Sequence, residues 1–210
     1  MAGMITELVL ATRNRHKGEE LTALLSNLGI RVRTLAEFPN APEVTEDGDT
    51  CEANAVKKAR TIADVTGLPA VADDTGLEVD ALGGRPGVFA ARYAGEHVSY
   101  EDNWRKLLNE LAGVPRKRRQ ARFLTVAALA LPGGGIEVAQ GTLEGVITDE
   151  PAGTGGFGYD PVFHVPELGK TLAELSAEQK NRISHRAKAF AEIRAMLLSK
   201  FELSQAVRSP

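Results

Sequence analysis

The opening segment constrains the chain more than any other stretch. Glu7 to Ala11 (ELVLA) is a short apolar run, the polar loop TRNRHK (12–17) follows, and Leu21, Leu24, Leu25 and Leu28 then recur at i, i+3, i+4 and i+7 before Gly29. That period puts one apolar face on a helix, with glycine as its C-cap. Ile30 to Leu35 alternates apolar and polar residues, as a half-buried strand does. Strand, helix and strand at this spacing make an α/β unit.

Further elements follow the same logic. Asp49 and Glu52 stand three apart, like a capping box opening a helix from Thr50 to about Thr66, which Gly67 and Pro69 close. A short strand, 70–72, runs into Asp73-Asp74-Thr75-Gly76, and GGRPG (83–87) must turn. The next helix begins near Ser99, with Trp104, Leu107, Leu108 and Leu111 on one face. Two long strand-like runs, 121–131 and 136–148, are joined by PGGG and read as a hairpin. After the Gly-rich loop GTGGFGYDP, helical composition resumes from Ser176, with Phe190, Ile193, Leu197 and Phe201 as an apolar stripe and a polar, frayed tail. No repeat, low-complexity segment or interdomain linker divides the chain, so a single domain over 1–210 is expected.

Composition narrows the function classes. A net charge of -3 gives no support for a constitutive nucleic-acid binder, so the basic run RKRRQAR (116–122) reads as a solvated loop. Cys51 is the one cysteine, which forbids an intrachain disulfide and fits a reducing compartment. Inside a helix it reads as a small buried apolar residue. The N-terminus lacks a cationic n-region, and the apolar stretch 123–131 is half of what a membrane span needs. A cytoplasmic protein without membrane partners is expected. Four scattered histidines give no zinc spacing.

Two glycine patterns mislead. Gly153, Gly155 and Gly158 satisfy G-x-G-x-x-G, but Pro161 and Pro166 follow where a dinucleotide-binding loop must open a helix. Gly169-Lys170-Thr171 mimics the end of a P-loop, yet His164 stands where its first glycine belongs. TRNRHK is more informative. Between strand and helix, Thr12, Asn14 and Lys17 suit a phosphate, or the loop is an ordinary polar connection with Asn14 as cap. Asp73-Asp74, at the end of an apolar strand, suits Mg²⁺ or a base toward water, or is a turn-forming pair.

Four segments together carry a resemblance: LATRNRHKGEEL (9–20), ADDTGLEVDALGGRPGVFAARYAG (72–95), PAGTGGFGYDPVF (151–163) and GKTLAELSAEQKNRISHRAKA (169–189). In this order they resemble the inosine/xanthosine triphosphate pyrophosphatases, which remove deaminated purine nucleotides. The resemblance implies an α/β fold with a long central mixed sheet flanked by helices, two lobes and the active cleft between them. It also implies Mg²⁺-dependent hydrolysis of ITP, dITP or XTP to monophosphate and pyrophosphate, usually by a homodimer. It implies that Thr12, Asn14 and Lys17 hold the triphosphate, that Asp74 is the base or a Mg²⁺ ligand, and that Glu46 is a second metal contact. Phe157 would stack on the purine, Gly158, Tyr159 and Asp160 would shape the base pocket, and Lys180, His185 and Arg186 would complete it. The family's DDSG is DDTG here, so Thr75 keeps the hydroxyl as a substrate contact with an added methyl. Ala90 replaces a serine, which leaves any hydroxyl role there unfilled.

Two rival readings remain. A pyrophosphatase for modified pyrimidines would not need SHR (184–186), and a nucleotide sensor without catalysis would not need Asp74, Lys17 and Glu46.

Overall fold

A computed structural model describes residues 4–200 and 202–203; Phe201 and most of the expected polar tail lie outside the described residues. In chain order the elements are β1 (Met4–Ile5), β2 (Glu7–Leu10), α1 (Arg15–Leu25), β3 (Arg31–Thr34), α2 (Cys51–Thr66), β4 (Ala70–Val79) and β5 (Pro86–Gly87). Then come α3 (Tyr100–Glu110), β6 (Gln120–Ala130), β7 (Ile136–Ile147), β8 (Phe163–Val165), β9 (Lys170–Thr171), α4 (Ala177–Ile183), α5 (His185–Lys200) and β10 (Glu202–Leu203). Hydrogen bonding orders the main sheet β3-β2-β4-β6-β7-β8-β9, with β5 on β4, while β1 pairs with β10. The sheet is mixed: β2 runs parallel to β3 and β4, whereas β8 runs antiparallel to β7 and β9.

The described residues fall into two compact units, one within Met1–Asp74, Thr125–Gly141 and Arg186–Pro210, the other within Thr75–Leu124 and Thr142–His185. Each has its own core. In the first, Leu8 and Leu10 of β2 meet Leu21 and Leu25 of α1, Val71, Leu129, and Phe190, Ile193 and Leu197 of α5. In the second, Leu77 and Val79 of β4 join Leu107, Leu111, Phe123, Ile147, Val162 and Phe163. Full burial of each large side chain contributes about 1.5–3 kcal/mol, so two such sets hold the respective units.

Three expectations are corrected. The N-cap of α2 is Thr50, not Asp49: Thr50 is extended, and its hydroxyl accepts the Ala53 N–H at 3.1 Å. Strand β4 does not stop at residue 72 but runs on to Val79. Its pairing with β2 ends at Val71, yet Leu77 and Val79 find apolar partners and Leu77 and Glu78 pair with β5, so the extended backbone continues. Asp73-Asp74 therefore lies inside a strand, just past the residues paired to β2. The basic run 116–122 is not wholly solvated either. Arg119 is buried, donates to the carbonyls of Leu111, Val114 and Thr148, and pairs with Asp149 at 3.0 Å. Among the described residues, no helix is long and apolar enough to cross a membrane.

Candidate functional site

In the first unit the loop after β2 is organised by its own side chains. Asn14 caps α1, its Oδ1 accepting the Lys17 N–H at 3.3 Å, and Thr12 Oγ1 accepts the Asn14 N–H at 3.2 Å. The cap puts Lys17 in the first helical turn, where N–H groups and the helix dipole favour an anion. The cap reading of this loop is what the structure shows, and the same cap shapes the turn that carries Lys17. Lys17 Nζ lies 3.1 Å from Asp73 Oδ2.

The neighbouring β4 segment meets one face of α2. The buried positions of α2 are Cys51, Asn54, Ala55, Lys58, Ala59, Ile62 and Ala63, so two strongly polar residues sit in an otherwise small and apolar stripe. Buried polar groups must be paired, and these are paired to β4 and to the acidic loop of residues 38–50, which carries Glu43, Glu46, Asp47 and Asp49 ahead of α2. Asn54 Nδ2 donates to Asp74 Oδ2 at 3.0 Å, and its Oδ1 accepts the Gly48 N–H at 2.8 Å. Lys58 Nζ donates to Glu46 Oε1 at 2.6 Å and to the Asp73 carbonyl at 2.7 Å, and stands 3.8 Å from Asp74 Oδ1. On the other side, Arg186 donates from Nε to Asp73 Oδ2 at 3.1 Å and from Nη1 to Glu20 Oε2 at 2.6 Å.

Adjacent carboxylates thus acquire opposite characters. Burial alone would raise Asp73, but Lys17, Arg186 and Lys58 outweigh it and hold that carboxyl well below the usual range. Burial raises Asp74 above its ordinary value, with Glu46 adding to the effect, and Lys58, Lys17 and the Asn54 hydrogen bond only partly oppose it. Asp73 is a fixed anion that organises cations. Asp74 is the more basic carboxylate, as a proton acceptor must be.

Among the described residues no three His, Cys, Asp or Glu side chains cluster as a metal cage. Two carboxylates, those of Glu46 and Asp74, nevertheless converge on the single ammonium of Lys58. Mg²⁺ keeps several waters and is commonly held by one or two carboxylates plus substrate phosphates. The donor set fits that ion.

In the second unit, Phe157, Gly158, Tyr159, Asp160, Lys180 and His185 are ordered around the Gly-rich loop. Lys180, buried, donates to Asp160 Oδ2 at 2.6 Å and lies 4.7 Å from the Phe157 ring centroid. The same Oδ2 accepts the Phe157 N–H at 2.8 Å, which closes the loop on itself. Gly156 is required there: its φ is +68°, and a Cβ would come within 2.0 Å of Asp160 Oδ2. Tyr100 tilts against Phe157 with centroids 5.8 Å apart, so the half-buried ring is held before any ligand arrives. Tyr159 is buried and donates to the Ala90 carbonyl at 2.8 Å, while His185 stacks on Phe123 at 4.4 Å. Thr75, half-buried, also belongs to this unit, whereas Arg186 belongs to the first.

Sequence reasoning missed Asn54, Lys58 and Glu20. The signal for the first two was available: Asn54 and Lys58 fall on the stripe defined by Ala55, Ala59 and Ile62. Cys51 matches its expectation as a buried small residue, and burial, with Asp74 beside it, pushes its thiol up to about 12. At pH 8 only about one part in 10⁴ is thiolate, the reactive form. Iodoacetamide at pH 8 is expected to leave Cys51 unmodified in the folded protein and to alkylate it in guanidinium, as mass spectrometry would show. Rapid labelling of the native protein would contradict this burial.

Comparison with known proteins supplies an independent line. The model of the Ham1 family matches residues 8–196. A protein of Geobacter sulfurreducens named dITP/XTP pyrophosphatase is 54% identical over 187 residues, covering 89% of this chain and 94% of that protein. Its namesake in Geobacillus kaustophilus is 52% identical, covering 89% of this chain and 92% of its own. A HAM1 protein from Coxiella burnetii superposes with a TM-score of 0.84 at 41% identity, over 92% of this chain and 99% of that one. The Staphylococcus aureus Ham1 protein gives 0.81, also at 41% identity, over 91% and 98%.

Proposed function

The chain belongs to the Ham1 family, and from that premise we propose that it hydrolyses ITP, dITP and XTP to the monophosphate and pyrophosphate, using Mg²⁺. The observation that carries the reading is the charge arrangement in the first unit. A raised Asp74 and an acidic Glu46 are set beside a capped, cation-bearing turn at the start of α1. Thr12, Asn14 and Lys17 take the triphosphate. Asp74 orients the attacking water and accepts its proton as oxygen adds to the α-phosphorus and the α–β anhydride bond breaks. Glu46 and Asp74 would hold Mg²⁺, which would supply charge neutralisation to the phosphates and so favour pyrophosphate as leaving group.

The second unit takes the base. Phe157 stacks on the purine, Thr75, Gly158, Tyr159 and Asp160 shape its surroundings, and Lys180 and His185 address its polar edge. ITP and XTP present a 6-keto acceptor with a protonated N1; ATP presents the reverse. Donors directed at O6 would be left unpaired by ATP, a mismatch that such sites reject by roughly 10⁴-fold or more. GTP keeps the 6-keto edge and is excluded only at its 2-amino group. Pyrophosphate release is therefore expected far faster from ITP and XTP than from GTP, with ATP the poorest. Comparable kcat/KM for ATP and ITP would defeat the reading. Phe157→Ala should raise KM about 5- to 150-fold for all four without reordering them, given stacking worth about 1–3 kcal/mol per base. A homodimer in the cytoplasm completes the proposal, and light scattering at micromolar concentration tests the dimer.

A further inference from the structure

We propose that Asn54 is a positioning residue for this reaction, fixing the acidic loop and Asp74 relative to each other through one rigid amide. The inference rests on the function proposed above. Asn54 is 1% exposed, and both ends of its amide are engaged. The Gly48 N–H demands an acceptor and the Asp74 carboxylate demands a donor. Asparagine presents both on one plane with a short stem, so the two bonds fix the amide's orientation as well as its position. Aspartate would keep the Gly48 bond but set a second carboxylate against Asp74. Leucine would fill the space and serve neither partner. Glutamine would add a methylene where there is no room for one.

The loop side is shaped for the same contact. A Cβ on Gly48 would lie 2.7 Å from Asn54 Oδ1 and 2.9 Å from the Ala53 Cβ, so only glycine lets the backbone come this close. Glu46 is two residues earlier, and its carboxylate is bonded to Lys58, one helical turn beyond Asn54. Thus α2 grips Asp74 through Asn54 and Glu46 through Lys58, while Asn54 also anchors the backbone that carries Glu46. The spacing of the two acidic groups is set by consecutive turns of one helix. Misplacing a reacting group by about 1 Å can cost roughly 10²-fold in rate.

The test breaks the link from each end. Asn54→Asp keeps the loop bond and removes the donor to Asp74; Gly48→Ala disturbs the loop bond and leaves that donor in place. Three readings are taken: steady-state kinetics with ITP, thermal melting, and amide exchange of residues 46–49 in protein free of metal and nucleotide. Each variant is expected to lose roughly 10- to 100-fold in kcat with KM within about threefold, and to melt as a cooperative fold. Exchange at 46–49 should quicken in Gly48→Ala and stay near wild type in Asn54→Asp. A merely structural role would move melting and exchange but leave kcat of the folded fraction unchanged, and that result overturns the inference, as does a loss confined to KM. Should Asn54→Asp not fold, Gly48→Ala carries the same decision. Wild-type protein that releases no pyrophosphate from ITP would instead overturn the functional reading, whereas active wild type with unimpaired variants overturns only the role of Asn54.

Discussion

Asp74→Asn is expected to abolish most turnover while leaving the protein at least as stable as wild type. The amide is nearly isosteric but cannot take a proton and is a poor Mg²⁺ ligand, and losing a general base typically costs roughly 10²–10⁴-fold. Stability moves the other way for an electrostatic reason. Burial and Glu46 raise the carboxyl of Asp74 above its ordinary value. A carboxyl whose folded pKa is raised binds its proton more tightly in the folded than in the unfolded state. Its contribution is therefore favourable at acid pH and is lost as pH rises from the unfolded to the folded value. Wherever Asp74 is ionised, its charge is a cost to the fold. The neutral amide removes that cost, and Asn54 can still donate to it. Paired measurements decide the matter: kcat for ITP, and melting at pH 7 in EDTA. A few-fold loss in kcat would remove Asp74 from the chemistry, and a marked drop in melting temperature would show that its charge is needed by the fold.

What the sequence disclosed and what it hid divide along one physical line. Local pattern exposes local structure: the 3.6 period of Leu21, Leu25 and Leu28, the start of α3 near Ser99 and the PGGG turn between β6 and β7 were all readable from neighbours within a few residues. The full length of β4 was not, because residues 73–79 stay extended for partners remote in sequence, such as Phe123 and the strand at 86–87. The same holds in the site. Thr12, Asn14 and Lys17 lie on one capped turn and could be read together. The division of labour between Asp73 and Asp74 depends on Lys17, Lys58 and Arg186, the last more than a hundred residues away. Identical side chains in adjacent positions look equivalent until their long-range partners are known. Asn54 and Lys58 are the instructive omission, since charged or amide residues in a stripe of alanines are themselves a demand for buried partners.

Arg186→Ala should be the most destabilising single substitution in the first unit. Arg186 is 2% exposed and shares its donors between Asp73, itself 1% exposed, and Glu20. Its removal leaves a buried carboxylate with less compensation and a void where the guanidinium packed. Breaking a buried pair from one side typically costs about 3–5 kcal/mol. For a chain of this size that is a fall of about 6–20 °C in melting temperature. Glu20→Gln should cost less, roughly 1–3 kcal/mol, because its side chain is partly exposed and the amide still accepts from Arg186. The pH dependence separates electrostatics from packing. Asp73 has a folded pKa held below its unfolded one, so its contribution is present above the unfolded value and is lost as pH falls through the folded value. Without Arg186, burial weighs more heavily against Lys17 and Lys58, the folded pKa rises, and the loss begins at a higher pH. Melting measured from pH 7 downward should show the variant declining first. The gap should then close once Asp73 is protonated in both proteins, except for the part due to the void. A deficit that is constant across pH would assign the whole effect to packing, and an unchanged melting temperature would show that Arg186 is not the buried counter-ion of Asp73.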